Sequence, residues 1–217
     1  MNDSHDEVHH PLMGDNNLRA DLRAIADCVP VGVKLLDIGC GEGELLAWLA
    51  KHKQVDARGL ELDTHNVNRA IALGVSVIQG DIETDLMYYP TQSFDVVILS
   101  QTLQAMRDPK MVLEQLLRVG RTAIVSVPNF GHWKNRLYLA IHGQMPVTKT
   151  LSYAWHDTPN IHFCTLTDFV ILCEQMEITI TRRIWVNAQG EPARFSGKGR
   201  FANIFGEQGI FVLSRHR

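Results

Sequence analysis

Val33-Lys34-Leu35-Leu36-Asp37-Ile38-Gly39-Cys40-Gly41-Glu42-Gly43-Glu44-Leu45-Leu46 is an apolar run long enough for one buried strand, closed by an acid, a glycine-rich turn and leucines at helical spacing. It reads as strand, tight turn, helix. Such a turn brings the N–H groups of a new helix to a point where glycines let a ligand approach the backbone. The spacing narrows the ligand. A dinucleotide fingerprint requires a third glycine where this chain has Glu44, and a phosphate-binding loop requires a Lys-Ser/Thr pair after its last glycine, which is missing. The pattern is instead Asp-x-Gly-x-Gly-x-Gly. Taken alone it also fits an ordinary strand-to-helix turn of another α/β protein.

This pattern resembles motif I of the class I S-adenosylmethionine-dependent methyltransferases. The resemblance implies that Asp37 lies near the amino-acid end of the cofactor, with Gly39, Cys40 and Gly41 beneath its sugar and methionine portion. An acid beside glycines suits a ligand carrying an ammonium and a sulfonium better than one carrying phosphates.

The rest of the pocket is sought at the ends of the following strands. A second strand, Val55 to Leu62, ends in Glu61-Leu62-Asp63, with Glu61 roughly 20 residues beyond the glycine turn. An acid at the end of the second strand of a βαβ unit accepts hydrogen bonds from a ribose diol. Glu61, with Leu62 beside it, is assigned that place, the alternative being a solvated strand end. Asp63 is expected to cap the next helix. A third strand, Val75 to Gln79, leads to Gly80-Asp81-Ile82-Glu83. By resemblance, Asp81 would meet the adenine amino group and the backbone of Ile82 would help hold the ring; otherwise Asp81 is a loop acid starting a turn. The strand Phe94 to Leu99 is almost continuously apolar, as a central parallel strand covered on both faces should be. Its end, Ser100 to Gln104, would project into the crevice where open α/β sheets bind ligands. Ser100 completes the cofactor set. Gln104 stands where an acceptor base would be sought, and it is neutral. The Asn/Asp-Pro-Pro-Tyr/Phe pattern of nucleic-acid amino methyltransferases and the Pro-Cys nucleophile of cytosine C5 enzymes are both missing.

Strands and helices alternate through Thr122 to Val127, which implies a parallel sheet. Asp108-Pro109 marks one helix start and Thr165-Leu166-Thr167-Asp168 another. Ile178 to Val186 and Gly209 to Ser214 read as an antiparallel pair of strands. The expected fold is therefore α/β: a Rossmann-like class I methyltransferase fold, with a mostly parallel seven-stranded sheet, helices on both faces and an antiparallel C-terminal strand.

The 217 residues suffice for one such domain, with 45% hydrophobic and 21% charged residues and a formal net charge of −3. This balance offers no overall basic field for nucleic acid. Four scattered cysteines without a C-x-x-C indicate neither a zinc ribbon nor a disulfide framework. No stretch approaches a membrane span, so the expectation is a soluble, cytoplasmic protein. Residues up to Asn17, polar and bearing His5, His9 and His10, read as a disordered tail.

Val127-Pro128-Asn129-Phe130-Gly131-His132-Trp133, Met145-Pro146-Val147-Thr148-Lys149 and Trp155-His156-Asp157-Thr158-Pro159-Asn160-Ile161-His162-Phe163-Cys164-Thr165 narrow the resemblance to the methionine biosynthesis protein MetW family. It covers the chain from about Leu18 onward. The resemblance implies a partner, homoserine O-acyltransferase, with S-adenosylmethionine or S-adenosylhomocysteine as cofactor; a homodimer remains open. Residues 128 to 164 would form a lid-like insertion over the carboxyl edge. His132 is a candidate base and His156, Asp157 and His162 are candidate metal ligands, but their spacing matches no metal site. Arg194, Lys198 and Arg200, preceded by Arg182 and Arg183, form a basic stretch that reads either as a docking site for an acidic partner surface or, in preference, as a solvated connection.

Overall fold

The computed structural model of the chain describes residues 18–148, 151, 153–187, 191–197 and 199–215. The expected N-terminal tail and Lys198 lie outside the described residues.

A short helix α1 (Ala20–Ala26) leads into β1 (Lys34–Ile38), and the glycine turn then delivers α2 (Glu44–Lys53). β2 (Asp56–Glu61) is followed by α3 (Thr64–Ala72), whose first turn is capped as expected: the Asp63 carboxylate accepts from the Asn66 N–H at 3.0 Å. β3 (Ser76–Gln79) and the single turn α4 (Ile82–Asp85) precede the central strand β4 (Phe94–Ser100). The Asp108 carboxylate caps α5 (Pro109–Val119) through the Met111 N–H, and β5 (Gly120–Pro128) follows directly.

The lid-like insertion contains a helix, α6 (Trp133–His142). After it, Thr165 and Asp168 form a reciprocal capping box at the start of α7 (Leu166–Gln175). The chain finishes with β6 (Ile178–Val186), β7 (Pro192–Arg194), α8 (Arg200–Phe205) and β8 (Gln208–Arg215). The stretch expected to be a solvated basic connection thus holds both β7 and α8.

The strand order is β3-β2-β1-β4-β5-β8-β6-β7. From β3 to β5 every pairing is parallel, while β8 runs antiparallel to both β5 and β6. β7 is the strand beyond the expected seven. It pairs three residues with the edge of β6 and begins at Pro192, a residue tolerated only where a ladder N–H is dispensable.

Because side chains alternate along a strand, each central strand feeds two cores. Leu36, Val97, Leu99, Val125 and Phe211 pack against α5 and α7 on one face. Leu35, Val96, Ile98, Ile124 and Ile210 pack against α1, α2 and α3 on the other. The chain leaves β1 in one direction toward β2 and β3, and later in the other toward β5. The seam between β1 and β4 is therefore the topological switch point, with a crevice at its carboxyl end.

Asn129 fixes the base of the insertion. Its Nδ2 donates to the backbone oxygens of Asn203 (2.9 Å) and Gly206 (2.7 Å), and its Oδ1 accepts from the Gly131 N–H (3.0 Å).

Candidate functional site

At the carboxyl end of that seam lies a cleft of roughly 470 Å³ lined by Arg19, Leu22, Asp37, Gly39, Cys40, Gly41, Glu42, Glu44, Leu45, Asn66, Ser100 and Gln101. Five residues assigned from the sequence meet here: Asp37, Gly39, Cys40, Gly41 and Ser100. Glu61 is joined to the turn directly, since its Oε2 accepts from the Gly41 N–H at 2.8 Å and its Oε1 from the Asp63 N–H at 3.0 Å. Leu62, next in the chain, has an exposed side chain.

Asp81 and Ile82 stand one strand further out and do not line the cleft. Asp81 caps α4, its Oδ1 accepting from the Glu83 N–H at 2.9 Å. The Ile82 side chain is buried in the core on the α5 and α7 face, leaving its backbone as the part available to a ligand.

Asp37 is 3% exposed, and its Oδ1 has no hydrogen-bond partner. Burial, reinforced by the negative charge of Glu61, pushes its carboxyl up to about 8. A buried acid with an unused oxygen is costly unless a donor arrives. Asp37, Glu42 and Glu44 bring three carboxyl groups to the cleft, of which Asp37 stays protonated at neutral pH until a cation arrives and Glu42 is paired with Arg69 at 3.0 Å, while Arg19 brings a guanidinium. The lining thus offers the unpartnered oxygen of Asp37 to a donor and the Arg19 guanidinium to an anionic group.

Arg19 escapes a reading of the sequence because nothing in its spacing relates it to the glycine turn. It flanks α1 and hydrogen-bonds Asp21 at 2.8 Å. Asp21 also accepts from Gln101 Nε2 at 3.2 Å, which ties α1 to the end of β4 across the cleft. Gln101 sits at φ 51°, a left-handed conformation uncommon for a residue with a side chain, and its N–H is bound by Ser126 Oγ at 3.1 Å. Cys40 lines the cleft as a neutral thiol: burial first, then the charges of Asp37 and Glu61, push it up to about 12. That excludes thiolate chemistry there at neutral pH.

Beside the cleft, on the α5 and α7 side, a second cavity of roughly 370 Å³ is lined by Leu103, Gln104, Asp108, Pro109, Lys110, Val127, His162, Cys164, Asp168, Phe169 and Leu172. Gln104 bridges the two spaces. Its Nε2 donates to the Gln101 backbone oxygen at 2.5 Å, and its backbone oxygen accepts from both the Ile161 and His162 N–H groups at 2.9 Å. Its Oε1 is buried without a partner. His132 lines neither space; it is buried, and burial lowers its pKa. His156 pairs with Asp157 at 3.2 Å, and among the described residues no three His, Cys, Asp or Glu side chains are grouped to hold a metal ion. No described helix is long and apolar enough to cross a membrane.

Comparison with known proteins places this architecture. An S-adenosylmethionine-dependent methyltransferase from Mesorhizobium loti superposes with a TM-score of 0.66, covering 93% of this chain and 100% of that one, at 17% identity, a likeness of fold. A ubiquinone biosynthesis O-methyltransferase of Photorhabdus laumondii is 29% identical over 135 residues, 58% of this chain and 55% of the relative. The bifunctional methionine biosynthesis protein MetXA/MetW of Rhodopirellula baltica is 33% identical over 195 residues. That match takes in 85% of this chain but only 31% of the length of the relative. The family model described as methionine biosynthesis protein MetW matches residues 19–213. The chain belongs to the methionine biosynthesis protein MetW family.

Proposed function

We propose that this chain binds S-adenosylmethionine in the cleft at the β1/β4 seam and serves methionine biosynthesis by acting with, or regulating, a homoserine O-acyltransferase. The observation that carries the binding is the buried, unpartnered Oδ1 of Asp37 in a cleft that also holds the Arg19 guanidinium. In this reading Asp37 receives the ligand ammonium and Arg19 its carboxylate. Gly39, Cys40 and Gly41 lie along the body of the ligand, Ser100 closes the β4 side, and Glu61 takes the ribose hydroxyls with Leu62 alongside. The adenine lies toward Asp81 and Ile82. When bound, the cofactor supplies an electrophilic methyl group on a sulfonium.

The acyltransferase follows from the family and is supported by the relative whose name joins MetXA and MetW in one bifunctional protein. Since S-adenosylmethionine is made from methionine, a subunit that senses it would report the supply of the end product to an early step.

A second reading, methyl transfer to an unidentified small molecule, is favoured by the apolar cavity beside the cleft. Transfer needs in-line placement of an acceptor lone pair, which bonds to the methyl carbon as the carbon–sulfur bond breaks. In that cavity Gln104 is neutral, and burial first, then Asp168, push the Cys164 thiol up to about 11, which leaves His162, Asp108 and Asp168 as the lining groups able to accept a proton.

Calorimetric titration with S-adenosylmethionine, alone and with purified homoserine O-acyltransferase present, tests the primary reading. Heat of binding and a change in acyltransferase activity at micromolar ligand are expected. Unchanged activity would overturn the regulatory role, and absence of heat would overturn the cofactor. Methyl-labelled cofactor incubated with cell metabolites tests the second reading through turnover into a labelled product.

A further inference from the structure

Helix α6 is built inside out. Its one buried side chain is a polar one, Asn135, whose Nδ2 donates to the Phe130 backbone oxygen at 3.2 Å. Every other residue of the helix is exposed, and Trp133, Leu137 and Ile141, 42%, 50% and 66% exposed, lie on the side away from Asn135, whereas Tyr138 and Leu139, 39% and 41% exposed, flank Asn135 itself. An ordinary surface helix turns its apolar stripe to the core.

The exposure is not scattered. Of the nineteen exposed large hydrophobic side chains among the described residues, ten lie between Trp133 and Phe163. Apolar patches of this kind on a folded protein mark interaction surfaces. Trp133, Leu137 and Ile141 recur every fourth residue and so form one outward stripe. At about 100° per residue, Lys134 falls on one side of that stripe and Arg136 on the other. Helix α6 itself holds no Asp or Glu, so its stripe is apolar at the centre and flanked by cations; the one acid between Trp133 and Phe163 is Asp157, which pairs with His156 at 3.2 Å.

That charge pattern helps choose the occupant. A two-fold contact between copies of this chain through the stripe would bring Lys134 and Arg136 of each copy against those of the other, with no acid in α6 to offset them. A partner with an apolar groove rimmed by carboxylates meets both features, as when an amphipathic helix lies in a groove. The geometry points to the outward face of α6 as the surface by which this chain docks on homoserine O-acyltransferase. The inference rests on the acyltransferase being the partner, as proposed above, and adds which face engages it. The cofactor cleft stays open to solvent ligand, because none of its lining residues belongs to α6.

The test uses the whole chain, purified homoserine O-acyltransferase, and the double variant Leu137→Glu/Ile141→Glu. Both side chains are exposed, so the variant should keep the wild-type melting temperature and circular dichroism. Ile71→Glu, an exposed hydrophobic site on α3, is the control. Light scattering after size exclusion should show a mixed complex with wild type and control, and at least tenfold weaker association with the double variant. Equal binding by a folded double variant would overturn this docking face while leaving the partner intact. Failure of wild type to bind the acyltransferase would remove the partner, and the inference with it. A wild-type dimer that the double variant converts to monomer would assign the face to a second copy and overturn the proposal. So would binding of wild type to anionic phosphatidylserine vesicles that the double variant loses, if acyltransferase binding is unaffected.

Discussion

Glu61 at the end of β2 holds the Gly41 N–H of the glycine turn at 2.8 Å, across twenty residues of sequence. The same carboxylate receives the Asp63 N–H, so it joins the turn, the strand end and the start of α3. A carboxylate fixed by two backbone donors still has lone pairs for a ribose diol and needs no rearrangement to use them. Replacing Glu61 by alanine should weaken S-adenosylmethionine binding by about 10- to 100-fold, the range of a hydrogen bond to a charged group. Calorimetry measures this directly. Unchanged affinity in a folded Glu61→Ala protein would remove Glu61 from the pocket.

Two glycines of the turn should fail for different reasons. Gly43 caps α2 at φ 82°, and a Cβ there would lie 2.9 Å from both the Ala70 and Val75 side chains. Gly41, at φ 55°, has open space for at least 4 Å around the position a Cβ would take, yet it lines the cleft. Gly43→Ala is therefore expected to lose stability beyond the roughly 1 kcal/mol of left-handed strain, because α3 and the start of β3 must also give way. Gly41→Ala should show only about that strain, while its added methyl obstructs the ligand. Melting temperature and cofactor affinity, measured on both variants, should rank them in opposite orders.

Asp37 makes stability depend on pH in a recognisable direction. Its folded pKa of about 8 lies above the ordinary value of 3.8. Below about pH 4 both folded and unfolded chains carry the protonated acid, so burial exacts no ionisation penalty there. As pH rises toward 8 the unfolded chain ionises first, and the folded state loses about 1.4 kcal/mol per pH unit of that interval. Asn cannot ionise. The stability of Asp37→Asn relative to wild type should therefore climb between pH 4 and 8, whatever constant offset the amide brings. Denaturant unfolding across that range checks the slope, and a flat difference would refute the buried acid. In wild type at pH 7, ligand binding should release about one proton, seen as buffer-dependent heat.

Features set by local chemistry are legible in the sequence. Asp63, Asp108 and Thr165 cap the helices whose starts they mark, and the strands from β1 to β5 fall where apolar runs end in acids or turns. The three features that escape depend on contacts distant in sequence or lie in a segment whose composition masks their period. β7 is a three-residue edge strand, registered only against Ile184 to Val186. Helix α6 is hidden although Trp133, Leu137 and Ile141 recur every fourth residue, because the surrounding segment, rich in aromatic, histidine and proline residues, reads as an irregular insertion. Arg19 reaches the cleft from the start of α1, which packs on the core through Ala24, Ile25 and Ala26 and is tied to the end of β4 by Gln101, eighty residues beyond Asp21.

Arg19 supplies the sharpest test of which end of the ligand lies where. Among the described residues it is the only guanidinium lining the cleft, and the Asp21 hydrogen bond that raises its pKa keeps it cationic. If it receives the amino-acid carboxylate, its loss should matter only for ligands that carry one. Arg19→Ala should bind S-adenosylmethionine and S-adenosylhomocysteine about tenfold more weakly, in line with an exposed or half-buried charged hydrogen bond. Its affinity for 5′-methylthioadenosine, which lacks both the carboxylate and the ammonium, should match wild type. Competition calorimetry with the three ligands gives the comparison. An equal loss for all three would mean that Arg19 shapes the cleft through α1 and Asp21 instead of contacting the ligand, and an unchanged set would place the carboxylate elsewhere.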